Sequence, residues 1–452
     1  MALIIEDCGH YSKALLDSDI DLLSCHELNP VRYPYLLESH RYINKHSRFD
    51  ILFAFPGEQI RAESLSQKNF FNQFDEQFLD KYDKATSCDD MPFTGGWFIF
   101  LSYELAGLIE PTLSNITEGL RLPLALATHI PVAIIKDHEA QQNWMVCESG
   151  QEPLLKLVYD DCLKSNINKL SKKVSFNVPK TEDKRFLSSV KKIHRYIKEG
   201  DTFQVNLSKQ WYAKLTDNSD YVDVYRALKS ANPSPFAGLA KIDNHSICST
   251  SPERLVKTEG DEIHMRPIAG TRRRSSDKNK DKALANDLLS NDKEMAEHIM
   301  LIDLVRNDLG RVCNPGSIVV DEKMTLESYA TVHHIVSNVR GQIKQGAIFP
   351  SDIIKAVFPG GTITGCPKVR CMEIINELED EPRGAYTGSM GYINYNGDMD
   401  LNILIRSVVV NGQELVFRTG AGIVADSVAS AELKETEHKA RGMLNALGGD
   451  HD

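Results

Sequence analysis

At 452 residues, with 42% hydrophobic and 25% charged positions, the chain has an ordinary globular composition, which excludes a disordered or collagen-like polymer. Its formal net charge of −11 tells against a nucleic-acid ligand, because phosphate neutralisation requires clustered Lys and Arg and the run Arg272-Arg-Arg274 is too short to supply it. No uncharged apolar run reaches membrane-spanning length, Met1 to Tyr11 carries acids where a signal peptide carries bases, and the nine cysteines contain no Cys-x-x-Cys pair, so a cytoplasmic location without membrane association or a disulfide framework is expected.

In chain order, strand-like segments at 49–55, 96–103 and 131–135 sit among Gly and Pro punctuation. The polar stretch at 165–183 is the expected seam between an N-terminal region, 1–175, and a second region, 176–450. Beyond it Phe186, Val190, Ile193 and Ile197 recur at helical spacing and Gly200 stands at a C-cap position, which predicts a helix over 183–199. Strands are predicted at 203–207, 238–242, 246–249 and 263–268, then a long helical stretch over 280–308 and a helix from Pro367, whose fixed φ suits a first turn. Strands follow at 389–395, 402–410 and 414–419, before a final helix over 429–447. Strand-rich blocks without a regular βαβ rhythm predict an α+β fold with antiparallel sheets.

Three glycine-rich turns are candidate anion cradles. Phe358-Pro-Gly-Gly-Thr-Ile-Thr-Gly-Cys-Pro-Lys368 feeds a helix whose free N–H groups favour a carboxylate or phosphate. Arg418-Thr-Gly-Ala-Gly-Ile-Val-Ala-Asp426 places paired glycines after a strand, and Arg266-Pro-Ile-Ala-Gly-Thr271 ends one. None matches a P-loop or dinucleotide fingerprint. Glu294 and Glu297, and Glu432 and Glu435 with Lys439, fall at spacings that line one helical face each. Two facing carboxylate pairs would suit a hard cation such as Mg²⁺, and two solvated helix faces fit the same spacing. His334 among apolar neighbours reads first as a packed core residue rather than a catalyst, whereas Arg406 between strand-forming apolars must find an anion if it points inward.

Taken together, Gly200-Asp-Thr-Phe-Gln-Val-Asn-Leu, Ser251-Pro-Glu-Arg, Arg266-Pro-Ile-Ala-Gly-Thr, Leu304-Val-Arg-Asn-Asp-Leu-Gly-Arg311, 358–370, Gly388-Ser-Met-Gly-Tyr392 and Gly420-Ala-Gly-Ile-Val-Ala-Asp-Ser427 resemble the chorismate-utilising enzymes over about 185–446. His46-Ser-Arg-Phe-Asp-Ile and Gly95-Gly-Trp extend the resemblance into the N-terminal part. That family includes anthranilate synthase component I, aminodeoxychorismate synthase component I, isochorismate synthases and salicylate synthases. The resemblance implies two large antiparallel β-sheets packed as a sandwich with flanking helices. It implies Mg²⁺ on Glu297 and Glu435, with Glu294 and Glu432 in support, and chorismate carboxylates held by Tyr392, Arg406, Lys439 and the backbone of Ala421 and Gly422. It places Gly270, Thr271 and Thr364 near the ring, Glu253 as the general acid at C4, and His334 beside the reacting ring.

Position 269 carries Lys in many members; Ala269 resembles anthranilate synthases and a subgroup of aminodeoxychorismate synthases. Gln204-Val-Asn-Leu, Val332-His-His, Gly388-Ser-Met-Gly-Tyr and Ser47-Arg-Phe-Asp-Ile resemble aminodeoxychorismate synthase. Leu37, Glu38 and Ser39, with Pro233, Ser234, Pro235 and Phe236, resemble tryptophan-binding segments. The expected activity is amination of chorismate at C4 with ammonia from a separate glutaminase amidotransferase subunit, component II, since no Gly-x-Cys-x-Gly nucleophile turn occurs. The alternatives are anthranilate synthase component I and a non-catalytic chorismate or tryptophan sensor.

Overall fold

The computed structural model describes residues 3–16, 20–39, 48–82, 90–116, 121–165, 174–178, 183–328, 332–344, 346 and 349–448. Most of the expected seam, and His46 and Ser47, lie outside the described residues. Among these, the strands form two antiparallel sheets, one of 13 strands and one of 10.

The strand Gln204–Leu215 shows how sequence dictates placement. Trp211, Ala213 and Leu215 are buried while Tyr212 and Lys214 between them are exposed, the two-residue alternation of a strand with one covered face. Its buried residues meet Phe417 and Leu415 of the strand Glu414–Ile423, and Met443 and Leu444 of the helix Ala429–Ala446. The helix Lys184–Glu199 buries Phe186, Val190 and Ile193 and ends at Gly200, whose φ of 86° is left-handed, as the spacing predicts.

Both sheets are shared between the two regions of the chain. In the larger, N-terminal strands end on Tyr35–Glu38, which pairs with Phe236–Ile242; His245–Ser251, Ser407–Asn411, Glu414–Ile423 and Gln204–Leu215 continue it. In the smaller, Gly96–Leu101 pairs with Ser389–Asn394, and Ile268–Arg273 and Val332–Gln342 lie toward the other end. The sheets face each other through Tyr35, Ile51 and Phe53 of one and Phe98, Phe100 and Met390 of the other. The Tyr35 and Phe98 rings stack with centroids 3.9 Å apart. Helices flank the sheets: Leu22–Leu28, Glu152–Lys164, Tyr221–Ala231, Lys368–Leu378 and Ala429–Ala446 on the larger, Phe70–Lys81 and Asp292–Gly310 on the smaller, with Pro350–Val357 packed on those last two helices. The α+β sandwich expected from the sequence is therefore present. Among the described residues no helix is long and apolar enough to cross a membrane.

Some predicted elements are divided. The stretch 263–268 becomes Glu262–Met265 and Ile268–Arg273, because Pro267 has no N–H to give a ladder. The stretch 280–308 becomes Lys278–Leu289 and Asp292–Gly310, with the Asn291 side chain accepting the Glu294 N–H at 3.1 Å in place of a helical bond. The stretch 402–410 becomes Met399–Asn402 and Ser407–Asn411, separated by a segment in which Arg406 takes a φ of +52°. Gly420 and Gly422 lie within a strand rather than after one. Likewise Ala269 and Gly270 lie inside Ile268–Arg273, where the register against Val332–Gln342 shifts.

Candidate active site

Glu253 stands between the strands His245–Ser251 and Arg254–Glu259, with its carbonyl accepting from Ile403 N–H at 3.0 Å. The carboxyl is buried, and burial pushes it up to about 7; the Thr362 hydroxyl donates to Oε1 at 2.7 Å and Arg406 pulls the other way. Arg406 is turned by its left-handed φ, and its carbonyl accepts from Thr250 N–H at 3.1 Å. Burial holds its guanidinium below the usual value, and Glu253 offsets this in part. His334, opposite Thr271 in the ladder, is buried, which lowers its imidazole to about 4, with the Arg406 charge adding to the shift. Its Nδ1 is 3.4 Å from the Gly270 carbonyl, so a proton shared there would sit on Nδ1. A protonatable acid, a cation and a neutral imidazole thus share one low-dielectric space.

One backbone run borders this space and leads to a second. The turn at 360–364 brings Thr362 to Glu253, while the buried Thr364 hydroxyl donates back to the Gly360 carbonyl at 3.0 Å and its own carbonyl accepts Asn206 N–H at 2.9 Å. Asn206 in turn pairs with Gly422 of the run Gly420-Ala-Gly422. A Cβ on Gly422 would lie 2.4 Å from Gln204 Nε2, and one on Gly420 would lie 2.6 Å from Asn206 Oδ1 and 2.7 Å from the Tyr386 hydroxyl. The glycines therefore let amide side chains close over the strand. Lys439 Nζ donates to the Gly420 carbonyl at 2.8 Å.

The carboxylates stand on the two helices that the spacing indicated, Asp292–Gly310 and Ala429–Ala446. Glu294 lies against Gly270, where a Cβ would be 2.8 Å from its Oε2, and pairs with Arg272 at 3.1 Å; Glu435 pairs with Lys439 at 2.7 Å. Among the described residues no group of three or more His, Cys, Asp or Glu is placed to hold a metal. The donor type still fits Mg²⁺, which is commonly held by one or two carboxylates and completed by an anionic substrate and water.

A buried ion-pair network supports the site. Glu379 accepts from Arg383 Nη2 and Arg418 Nη2, each at 2.8 Å, and from Ser208 N–H and Oγ. Burial would raise its carboxyl, but the two guanidiniums hold it below its usual value. Arg383 also donates to the carbonyls of Ile363 and Asn206, at 3.1 and 2.7 Å, so it clamps both walls. Lys368 Nζ donates to Asp308 at 2.6 Å and to the Val357 carbonyl at 3.2 Å, anchoring the glycine-rich turn to the helix Asp292–Gly310. Glu379→Ala would strand two buried guanidiniums, and a loss of about 3–5 kcal/mol in urea unfolding is expected. A loss below about 1 kcal/mol would contradict this role.

Tyr392 is placed elsewhere. It packs on Phe53 and Phe93 and lines a cavity of about 570 Å³ with Leu37, Glu38, Ser39, Pro235 and Phe236; Pro233 and Ser234 do not line it. Strand alternation explains the displacement, since Tyr392 stands on Ser389–Asn394 opposite Asp400 and Phe98. Tyr386, six residues earlier, reaches Gly420 instead. Glu38 is buried and accepts from Tyr225 at 2.7 Å and Lys229 at 2.6 Å. Thr362, Tyr386 and Asn206 escaped the sequence reading as individual residues; the visible signals were Thr362 inside a glycine-rich turn, Tyr386 just before Gly388-Ser-Met-Gly-Tyr392 and Asn206 inside Gln204-Val-Asn-Leu.

The family model for chorismate-binding enzymes matches residues 34–445. An anthranilate synthase component I-like protein of Synechocystis is 43% identical over 367 residues, covering 80% of this chain and 74% of that one. Aminodeoxychorismate synthase component 1 of Bacillus subtilis is 42% identical over 367 residues, covering 78% and 77%. The crystal structure of anthranilate synthase component I from Streptococcus pneumoniae superposes with a TM-score of 0.76 at 31% identity, covering 90% and 94%.

Proposed function

Because the chain belongs to the chorismate-binding enzyme family, we propose that it is the synthase component of an aminodeoxychorismate synthase, replacing the C4 hydroxyl of chorismate by ammonia. Water leaves and the enolpyruvyl ether is retained, so 4-amino-4-deoxychorismate is the product, destined for 4-aminobenzoate and folate. The observation that carries the chemistry is Glu253, a buried carboxyl raised to about 7 and held by Thr362. A carboxylic acid that keeps its proton near neutrality can protonate a departing hydroxyl. The likeness to the Bacillus subtilis aminodeoxychorismate synthase component 1 supports the C4 outcome. Ala269 and the names of the other relatives favour anthranilate synthase component I as the second reading.

In this reading Glu253 gives its proton to the C4 oxygen, and the proton released when ammonia adds restores it. His334, lowered to about 4, stays neutral and orients by hydrogen bonding rather than by titrating. Arg406 offers a partly dehydrated guanidinium to a substrate carboxylate, assisted by the Ala421 and Gly422 backbone and by Lys439. Thr364, Thr271 and Gly270 shape the ring surroundings, and Ala269 leaves room beside C2. Glu297 and Glu435, with Glu294 and Glu432 behind them, would hold Mg²⁺, which when bound supplies positive charge to the ring carboxylate. A separate glutaminase subunit, component II, supplies the ammonia, and the cavity at Leu37, Glu38, Ser39, Pro235 and Phe236 takes tryptophan.

Purified protein incubated with chorismate, Mg²⁺ and an ammonium salt is expected to form a non-aromatic amino compound with little pyruvate until a lyase is added, as one chromatographic separation will show. Blue-fluorescent anthranilate with equimolar pyruvate would establish the second reading. No consumption of chorismate would favour a sensor.

A further inference from the structure

His298 stands next to Glu297 on the helix Asp292–Gly310 and takes no part in the steps proposed for Glu253. The sequence after it is Ile299-Met-Leu-Ile302, followed by Leu304 and Val305. Apolar side chains at successive positions point all round a helix, because each residue advances it by about 100°. Burial of apolar area therefore chooses only weakly which residue meets the sheet. The place goes to the polar neighbour: His298 is fully buried, whereas Ile299 is 49% exposed.

One hydrogen bond accounts for that choice. His298 Nε2 lies 2.6 Å from the hydroxyl of Ser337 on the strand Val332–Gln342. Ser337 is itself fixed. It is buried, its N–H donates to the Pro267 carbonyl at 3.3 Å, and its Oγ accepts the N–H of Met324 at 2.9 Å. The imidazole is otherwise unsatisfied, since Nδ1 has no hydrogen-bond partner among the described residues. A leucine here would be free of that cost. What the histidine adds is direction, because a polar bond inside an apolar interface selects one arrangement among several of similar burial.

The carboxylates depend on that arrangement. Glu297 precedes His298 and Glu294 lies one turn before it, against Gly270. A rotation that put Ile299 in the place of His298 would swing both carboxylates by about 100°. The other polar anchors of this helix do not prevent it. The pair Asp308–Lys368 holds the far end, ten residues and about 15 Å away. Arg272 grips Glu294 itself, where an incoming cation would compete with it.

We propose that His298 is a positioning residue for the cation site, its bond to Ser337 fixing the rotation of the helix so that Glu294 and Glu297 face the substrate. This rests on the reading of Glu297 and Glu435 as the carboxylates that hold Mg²⁺. His334 lies three residues before Ser337, on the opposite face of the same strand by alternation. The bond thus sets the helix and the site imidazole against one backbone.

Mn²⁺ affinity is measured by electron paramagnetic resonance with chorismate present and ammonia absent, and initial rates are measured over a range of Mg²⁺. Glutamine places its amide near the position of Nε2, whereas asparagine reaches only as far as Nδ1. His298→Asn and Ser337→Ala are each expected to raise the Mn²⁺ Kd and the apparent KM for Mg²⁺ roughly tenfold, the loss usual for a partner behind a metal ligand. Saturating Mg²⁺ should restore kcat to within about threefold of wild type. His298→Gln should keep the Mn²⁺ Kd within about twofold. A purely structural role would lower the melting temperature and leave the cation affinity of the folded protein unmoved. An unchanged Mn²⁺ Kd in either His298→Asn or Ser337→Ala overturns the assignment, as does a His298→Gln variant as impaired as His298→Asn, or lost turnover that saturating Mg²⁺ does not restore. Wild-type protein that binds no Mn²⁺ would sink the metal reading, and this assignment with it.

Discussion

Glu253→Gln is expected to lower kcat by about 10²–10⁴-fold, the usual contribution of a positioned general acid, while chorismate binding persists. Glutamine keeps the shape and can accept from Thr362, but it has no proton to give. The pH dependence follows from burial. With the carboxyl raised to about 7, wild-type activity at constant free ammonia should fall as pH rises through 7, because the acid is then ionised. On the acid side it should fall near 4, where His334 becomes charged. Free ammonia must be held constant, since its own ionisation would otherwise mask the alkaline limb. The same shift has a consequence for stability. Between the ordinary carboxyl value of 4.5 and about 7 the folded protein holds a proton that the unfolded chain has released, so stability falls as pH rises through that window. Glu253→Gln removes this loss, and the variant should be the more stable protein at pH 8, by about 3 kcal/mol at most, and equal to wild type at pH 4. Retention of full turnover by the variant would remove Glu253 from the mechanism.

Glu297→Gln and Glu435→Gln are each expected to cut activity by at least about a hundredfold. The proposed cation needs a full negative charge from the protein to sit against an anionic substrate, and an amide offers only a dipole. Thermal stability should be nearly unchanged. Glu435 is half exposed and engages Lys439 at the surface, an arrangement worth about 0–1 kcal/mol. Titration with Mn²⁺ should show weakened binding in both variants, and EDTA should silence the wild type reversibly. Undiminished turnover in EDTA would dispose of the metal site altogether.

The helix Lys184–Glu199 and the strand Gln204–Leu215 were legible because their apolar spacing is set by neighbours two to four positions away. The breaks at Pro267 and Asn291 were legible in principle from the residues themselves, but a continuous apolar count passes over them. Tyr392 shows where motif reading ends. The tyrosine that closes Gly388-Ser-Met-Gly-Tyr392 lines the cavity at Leu37 and Phe236, and Tyr386 reaches the glycine strand; which face a side chain takes depends on sheet register, which no short motif encodes.

Composition and local spacing by themselves determined that this is a globular α+β chain unsuited to nucleic acid, with carboxylates paired on two helices and glycine-rich turns beside strands. Tertiary structure alone decided what those residues can do. Glu253, Arg406 and His334 are far apart in the chain, and each acquires its shifted proton affinity from burial beside the others. Periodicity reports which face of an element is covered, whereas protonation and hydrogen-bond satisfaction depend on which distant segments do the covering.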